Sequence, residues 1–115
     1  MYRGEIWSVN LDPTIGSEIR KTRPAVIVSR DSIGILPLKI VVPITGWRDE
    51  FAQAPWLVPL EREAGTGLTK KSAADALQVR SVSEQRLVEK LGELDADSMA
   101  RIGAALALTL DIENL

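Results

Sequence analysis

Residues 16–26 read GSEIRKTRPAV, and Ser17–Pro24 hold Glu18, Arg20, Lys21 and Arg23 just ahead of the apolar run Ala25–Val28. Three cations and one carboxylate at the mouth of a core strand suit chemistry at phosphorus. A guanidinium fork gives bidentate donors to phosphate oxygens. A carboxylate tuned to the working pH accepts a proton. A hydroxyl donates to a developing oxyanion. Glu18, Arg23 and a nearby threonine meet these needs. One reaction asks for no more than this set. An RNA 2′-OH attacks its own neighbouring phosphate, so the protein has only to move protons and stabilise charge. A plainer reading stands beside it: Glu18 pairs with Arg20 or Lys21 as a solvated ion pair of little energetic weight.

Other chemistries are removed by what the chain lacks. It has no histidine and no cysteine. No Ser-His or Cys-His couple can therefore form, and neither can a disulfide or a thiolate metal site. No Walker loop or dinucleotide glycine pattern occurs. The carboxylates are scattered rather than paired, so neither a metal nor a cofactor is expected.

The elements that must position these residues are short. EIWSVNL (5–11) alternates Trp7, Val9 and Leu11 against Ser8 and Asn10, the period of a strand. Pro13 and Gly16 break it, so 12–23 reads as a loop. PAVIVS (24–29) reads as a strand buried on both faces. LKIVVPIT (38–45) reads as another, with Pro43 arguing for an edge or a bulge. A polar loop follows at 46–55, then a short strand at 56–61. SAADALQVRSV (72–82) reads as one long half-buried strand and SEQR as a single helical turn. LVEKLGEL fits strand or helix. Asp95 can cap a helix over 96–111, with Met99, Ile102, Leu106 and Leu110 on one face. Five or six strands and one terminal helix predict a mainly β fold, a small barrel packed by that helix.

With 115 residues, 45% of them hydrophobic, the chain is expected to form a single domain over 1–115. Met1–Glu5 is too short and polar for a signal peptide, and no apolar run reaches membrane length, so a soluble cytoplasmic protein with no membrane partner is expected. The net charge of −2 alone argues against a nucleic-acid partner. Its distribution argues differently. In residues 1–48, Arg3, Arg20, Lys21, Arg23, Arg30, Lys39 and Arg48 outnumber Glu5, Asp12, Glu18 and Asp31, for a net of +3. Residues 49–115 hold seven cations and twelve anions, for a net of −5. A basic half can line a groove while the acidic half keeps the chain in solution.

RGEIWSVNLDPTIGSE, then RPAVIVS, PIT and ADALQVRSVSEQRL, resemble the MazF/PemK (Kid) toxin family from Arg3 to the terminal helix. The resemblance implies an SH3-like barrel with a C-terminal helix, assembled as a homodimer. It implies a sequence-selective, metal-independent and ribosome-independent mRNA endoribonuclease leaving a 2′,3′-cyclic phosphate and a 5′-OH. It also implies a MazE-like antitoxin whose disordered segment covers the RNA groove, and DNA binding together with that antitoxin. The family's catalytic Arg falls on Arg23 and its Thr or Ser on Thr45. Its Glu falls on Glu18, a candidate general base. Gln78 matches a recurrent Gln of the RNA groove or its frame. Arg20, Lys21, Trp47, Arg48 and Lys70 are further candidates for RNA contact. Trp47 fits base stacking and a dimer interface equally well.

Two departures accompany the match. Many members are Gly-rich between the Glu and the Arg, whereas this chain has Ile19, Arg20, Lys21 and Thr22, predicting a stiffer, more cationic loop. Where some members carry an Arg and an acidic residue before the Gln, Asp75 and Leu77 stand, so a mechanism using that pair does not transfer. Two rivals remain from the sequence alone: a non-catalytic toxin of the related gyrase-poison type, and an inactive RNA-binding barrel.

Overall fold

The computed structural model describes residues 1–113. Seven strands and one helix form the framework: β1 (Glu5–Asn10), β2 (Thr22–Ile27), β3 (Leu38–Gly46), β4 (Leu57–Leu60), β5 (Ser72–Asp75), β6 (Arg80–Ser83), β7 (Leu87–Glu93) and α1 (Ala96–Thr109). Short 3₁₀ turns occupy Asp49–Gln53, Ala76–Gln78 and Glu84–Arg86. The strands run β4-β5-β3-β2-β1-β7, with β6 paired to β3, and every pairing is antiparallel. The fold is therefore mainly β with a terminal helix, as expected, although β4 and β7 remain as open ends of the strand path.

Alternation along the central strands divides the core into two layers. Val26, Val42 and Ile44 face one cluster, which also takes Ile6, Val58 and Leu60 and is covered by Met99, Ile102 and Ala105 of α1. Ala25, Ile27 and Val41 face the other, with Val9, Leu11, Val82 and Leu87. Burial on both sides explains the β-branched runs of β2 and β3. Trp7 and Ile19 pack against this second cluster, which matters below because Ile19 belongs to the charged loop.

Several sequence expectations change in detail. Pro43 is neither at an edge nor at a bulge; it lies within β3, opposite Ala25 of β2. The other edge of β3 pairs with β6 through Val41 and with β5 from Ile44. Its missing N–H thus falls where the neighbour changes, and no ladder bond is lost there. The expected long strand at 72–82 is broken. The Asp75 carboxylate accepts the Leu77 amide at 3.1 Å, turning the chain through Ala76–Gln78 before β6 begins. β2 starts at Thr22, so Arg23 stands on a strand rather than in the loop. Leu110 lies beyond α1 and is 55% exposed, so it does not join the buried stripe. Asp95 caps α1 as expected, accepting the Ser98 amide at 2.8 Å.

The turn after β4 docks on β7 through glycines. A Cβ on Gly92 would lie 2.2 Å from the Gly65 carbonyl oxygen, and one on Gly67 would lie 2.3 Å from that of Leu91. The Glu93 amide donates to Gly65 O at 2.8 Å across this contact.

Candidate functional site

The register of β2 and β3 brings the expected chemistry to one face. The β2–β3 ladder ends at Ala25 and Pro43; Arg23 lies two residues before Ala25 and pairs with Val9 of β1, while Thr45 lies two residues after Pro43 and pairs with Ala73 of β5. Period-2 alternation gives Arg23, Ala25, Pro43 and Thr45 the same side of the sheet. Arg23 is exposed and Thr45 half-buried. The Arg23 Nε donates to Arg20 O at 3.4 Å. Among the described residues its terminal nitrogens have no partner within the chain, so the forked end points to solvent.

The charged loop folds over the same face. Ile19 packs on the cluster beneath it. The Gln78 side chain grips the loop twice: Oε1 accepts the Ile19 amide, and Nε2 donates to Ser17 O at 3.3 Å. Glu18 lies between these two holds. Its Oε1 accepts the Ile15 amide at 2.8 Å. Ser17, Glu18, Pro43, Leu77, Gln78 and Arg80 help line a cleft of about 490 Å³. Glu18 forms no ion pair with Arg20 or Lys21, nor do Arg20, Lys21 and Arg23 pair with any other described carboxylate. All four of these charged side chains are exposed.

Asp12, overlooked in the sequence, locks the far side of the loop. Its carboxylate accepts the Lys21 amide at 3.1 Å and the Thr14 hydroxyl at 3.0 Å. Lys21 is thereby held at φ 67°, a left-handed conformation. The Lys21 amide first and the Thr14 hydroxyl second hold the Asp12 carboxyl below its ordinary value. The available signal was NLDPT itself, since Asx and hydroxyl turns belong where such residues precede and follow a proline. Asp75 is the opposite case. Burial pushes its carboxyl up, against the Leu77 amide and Gln78, and it caps the turn that presents Gln78.

The remaining candidates lie elsewhere. Trp47 packs edge-on against Phe51, with ring centroids 5.8 Å apart, and Lys71 Nζ sits 4.7 Å above its ring. It lines a separate groove of about 650 Å³ between the 49–53 turn, β4 and α1. Arg48 is paired with Glu50 at 2.9 Å, both side chains being exposed. The Lys70 side chain lies over Gly46, where a Cβ would stand 3.0 Å from its Nζ. The structure thus joins Glu18 and Gln78 at one cleft, sets Arg23 and Thr45 on the adjacent strands β2 and β3, and places Trp47 at a separate groove.

A family model described as PemK-like, MazF-like toxin of type II toxin-antitoxin system matches residues 2–110. The chain is 37% identical over 118 residues to Endoribonuclease MazF9 of Mycobacterium tuberculosis (strain ATCC 25618 / H37Rv), covering 97% of this chain and 98% of that one. MazF from Deinococcus radiodurans has a similar structure, with TM-score 0.79 and 25% identity over 97% of both chains. An endoribonuclease in complex with its cognate antitoxin, from a mycobacterial species, shares the fold at TM-score 0.77. It is 22% identical over 100% of this chain and 99% of its own. Matched from Tyr2 to Leu110, this chain belongs to the PemK-like, MazF-like toxins of type II toxin–antitoxin systems.

Proposed function

We propose that this chain is a sequence-selective, metal-independent and ribosome-independent mRNA endoribonuclease. The observation that supports the reading is that Arg23 and Thr45 stand on the adjacent strands β2 and β3, with the Glu18 loop held by Gln78. Glu18 takes the proton from the 2′-OH at the scissile position. The 2′ oxygen attacks the adjacent phosphorus, and the phosphorus–5′ oxygen bond breaks. The Arg23 fork and the Thr45 hydroxyl hold the nonbridging oxygens as their charge grows. The 5′ oxygen leaves as it takes a proton from solvent, with the Arg23 fork donating hydrogen bonds to its charge, and Glu18 releases its proton to solvent. The products are a 2′,3′-cyclic phosphate and a 5′-OH. Arg20 and Lys21 hold flanking phosphates, which position the strand without specifying its sequence.

The working assembly in this reading is a cytoplasmic homodimer, acting where mRNA is found. Ile33, Ile35 and Leu36 are 65%, 101% and 68% exposed, apolar surface that a second copy can cover. An acidic, disordered segment of a MazE-like antitoxin fits the cationic rim, since carboxylates use the same forks as phosphates.

The test is purified protein with a long RNA in EDTA, read by primer extension, beside an oligonucleotide whose scissile 2′-OH is replaced by hydrogen. Cutting of the first and binding without cutting of the second are expected. Cutting of the deoxy chimera would reveal a water nucleophile and refute the cyclic-phosphate route. Binding of the long RNA without cleavage would leave an inactive binding module.

A further inference from the structure

Two arginines from the acidic half of the sequence grip the root of the catalytic loop. Arg80, on β6, donates through Nη1 to Leu11 O at 3.0 Å. Arg86, in the turn before β7, donates through Nη1 to Asn10 O at 3.1 Å and also to Asp12 O. Three successive carbonyls are therefore taken by two guanidiniums. Neither arginine forms an ion pair among the described residues, so their charge is directed at backbone.

These bonds act on the loop more than on the sheet. The β1–β2 ladder ends at Asn10 and Thr22, and the β1–β7 ladder ends at Val9 and Leu87. Leu11 and Asp12 lie beyond both ladders, where the chain leaves for the loop. The returning chain meets them there. The Leu11 amide donates to Lys21 O at 2.9 Å, and Asp12 holds the Lys21 amide. Two residues after Lys21 comes Arg23. The direction in which the loop leaves, and the residue at which it returns, are thus set from Arg80 and Arg86.

We infer that Arg80 and Arg86 are positioning residues for RNA cleavage. They hold the neck Asn10–Asp12 and Lys21 so that Glu18 and Arg23 address the same phosphate. The inference rests on the nuclease reading above. A guanidinium supplies charge-assisted donors in a fixed plane, and lysine supplies a point charge without the fork. A displacement of about 1 Å at a reacting group costs on the order of 10²-fold in rate.

The experiment compares Arg86→Ala and Arg86→Lys with wild type in two readouts. In cleavage, kcat should fall about 10²-fold for the alanine variant and about tenfold for the lysine variant, with KM nearly unchanged. In amide hydrogen exchange without RNA, Leu11 and Lys21 should lose protection while Ile6 and Val26 keep theirs. Unchanged protection at Leu11 and Lys21 overturns the inference whether or not the protein cuts RNA. Lost protection with wild-type kcat overturns it too. If wild type cuts no RNA, the nuclease reading fails and the positioning role falls with it. If Arg86→Ala unfolds, Arg86→Lys carries both readouts.

Discussion

Gln78 holds the backbone on both sides of Glu18, accepting the Ile19 amide and donating to the Ser17 carbonyl. One short side chain on a turn between two strands therefore sets where the candidate base stands. Gln78→Ala should lower cleavage by about tenfold to a hundredfold. Glu18→Gln should cost at least as much. Because the two act as a unit, the double variant should be no slower than Glu18→Gln alone. Rate constants from single-turnover cleavage decide this, and additive losses would separate the two roles.

Arg23 and Thr45 make the sharpest test of the site. Arg23→Ala should cost 10²–10³-fold or more, on the order expected when an oxyanion donor is lost. Thr45→Val keeps the shape and removes the hydroxyl, so its loss should be smaller. An exposed and a half-buried side chain leave the core intact, so circular dichroism should match wild type. Arg23→Ala cleaving within about threefold of wild type would exclude the assigned role.

Arg20 and Lys21 bear on both expected partners. Reversing both to Glu should weaken RNA and antitoxin together, and both losses should shrink at high salt. Titrations of each ligand at two salt concentrations measure this. Loss of RNA binding with full antitoxin affinity at low salt would show that the two ligands do not share these cations.

The buried Glu5 carboxylate ties β1 to its surroundings. Burial acts to raise its pKa. It is outweighed by the Trp7 indole N–H at 2.9 Å, the Tyr2 amide at 3.0 Å, Lys90 at 3.2 Å and the terminal ammonium at 3.5 Å. The carboxyl is lowered from 4.5 to about 2. Between those values the unfolded chain binds the proton and the native state does not. The stabilisation is therefore complete above about 4.5 and is lost as pH falls toward 2. Glu5→Gln should be less stable at pH 7 and should show a shallower acid decline. Asp12 and Asp95, also held low, keep part of the slope. Urea midpoints from pH 2 to 7 make the comparison.

Gly92→Ala should destabilise the fold without touching the site. Its Cβ would meet backbone at Gly65 and Thr66, which cannot rotate away. Overpacking of this kind costs roughly 1–3 kcal/mol, a fall of several degrees or more in Tm. Thermal unfolding should show it, while the kcat of the folded fraction stays at the wild-type value.

Much of the fold was legible because alternation and β-branched runs report burial directly. Trp7, Val9 and Leu11 share a face, PAVIVS is buried on both sides, and Asp95 caps its helix. What escaped were local bonds that override pattern. The Asp75 carboxylate captures an amide and cuts an apparently continuous strand in two. Pro43 is tolerated in a central strand because its edge faces a change of neighbour, which is a fact of topology. At the site, Glu18, Arg23, Thr45 and Gln78 were named from motif and resemblance; Gln78 is bonded to the loop that carries Glu18, and Arg23 and Thr45 stand on the adjacent strands β2 and β3. Trp47 and Arg48 follow Thr45 in sequence, and the structure sets Trp47 at a separate groove and pairs Arg48 with Glu50. Arg80 and Arg86 went unread because their partners are backbone groups, which leave no pairing signal between side chains, and Asp12 went unread although NLDPT offered a turn signal.

The loop's clasps also carry a time order. Glu18, Arg23 and Thr45 all lie in the first half of the chain, but the side chains that grip residues 10–19 come from positions 78–86, across separations of 59 to 76 residues. A nascent chain emerging from the ribosome carries its reactive groups long before it has anything to orient them. A product broken off before Gln78 has the chemistry without the geometry. Under the proposed mRNA cleavage, the message being read should be safe from its own product until translation is nearly done, and a chain truncated before Gln78 should not cut RNA.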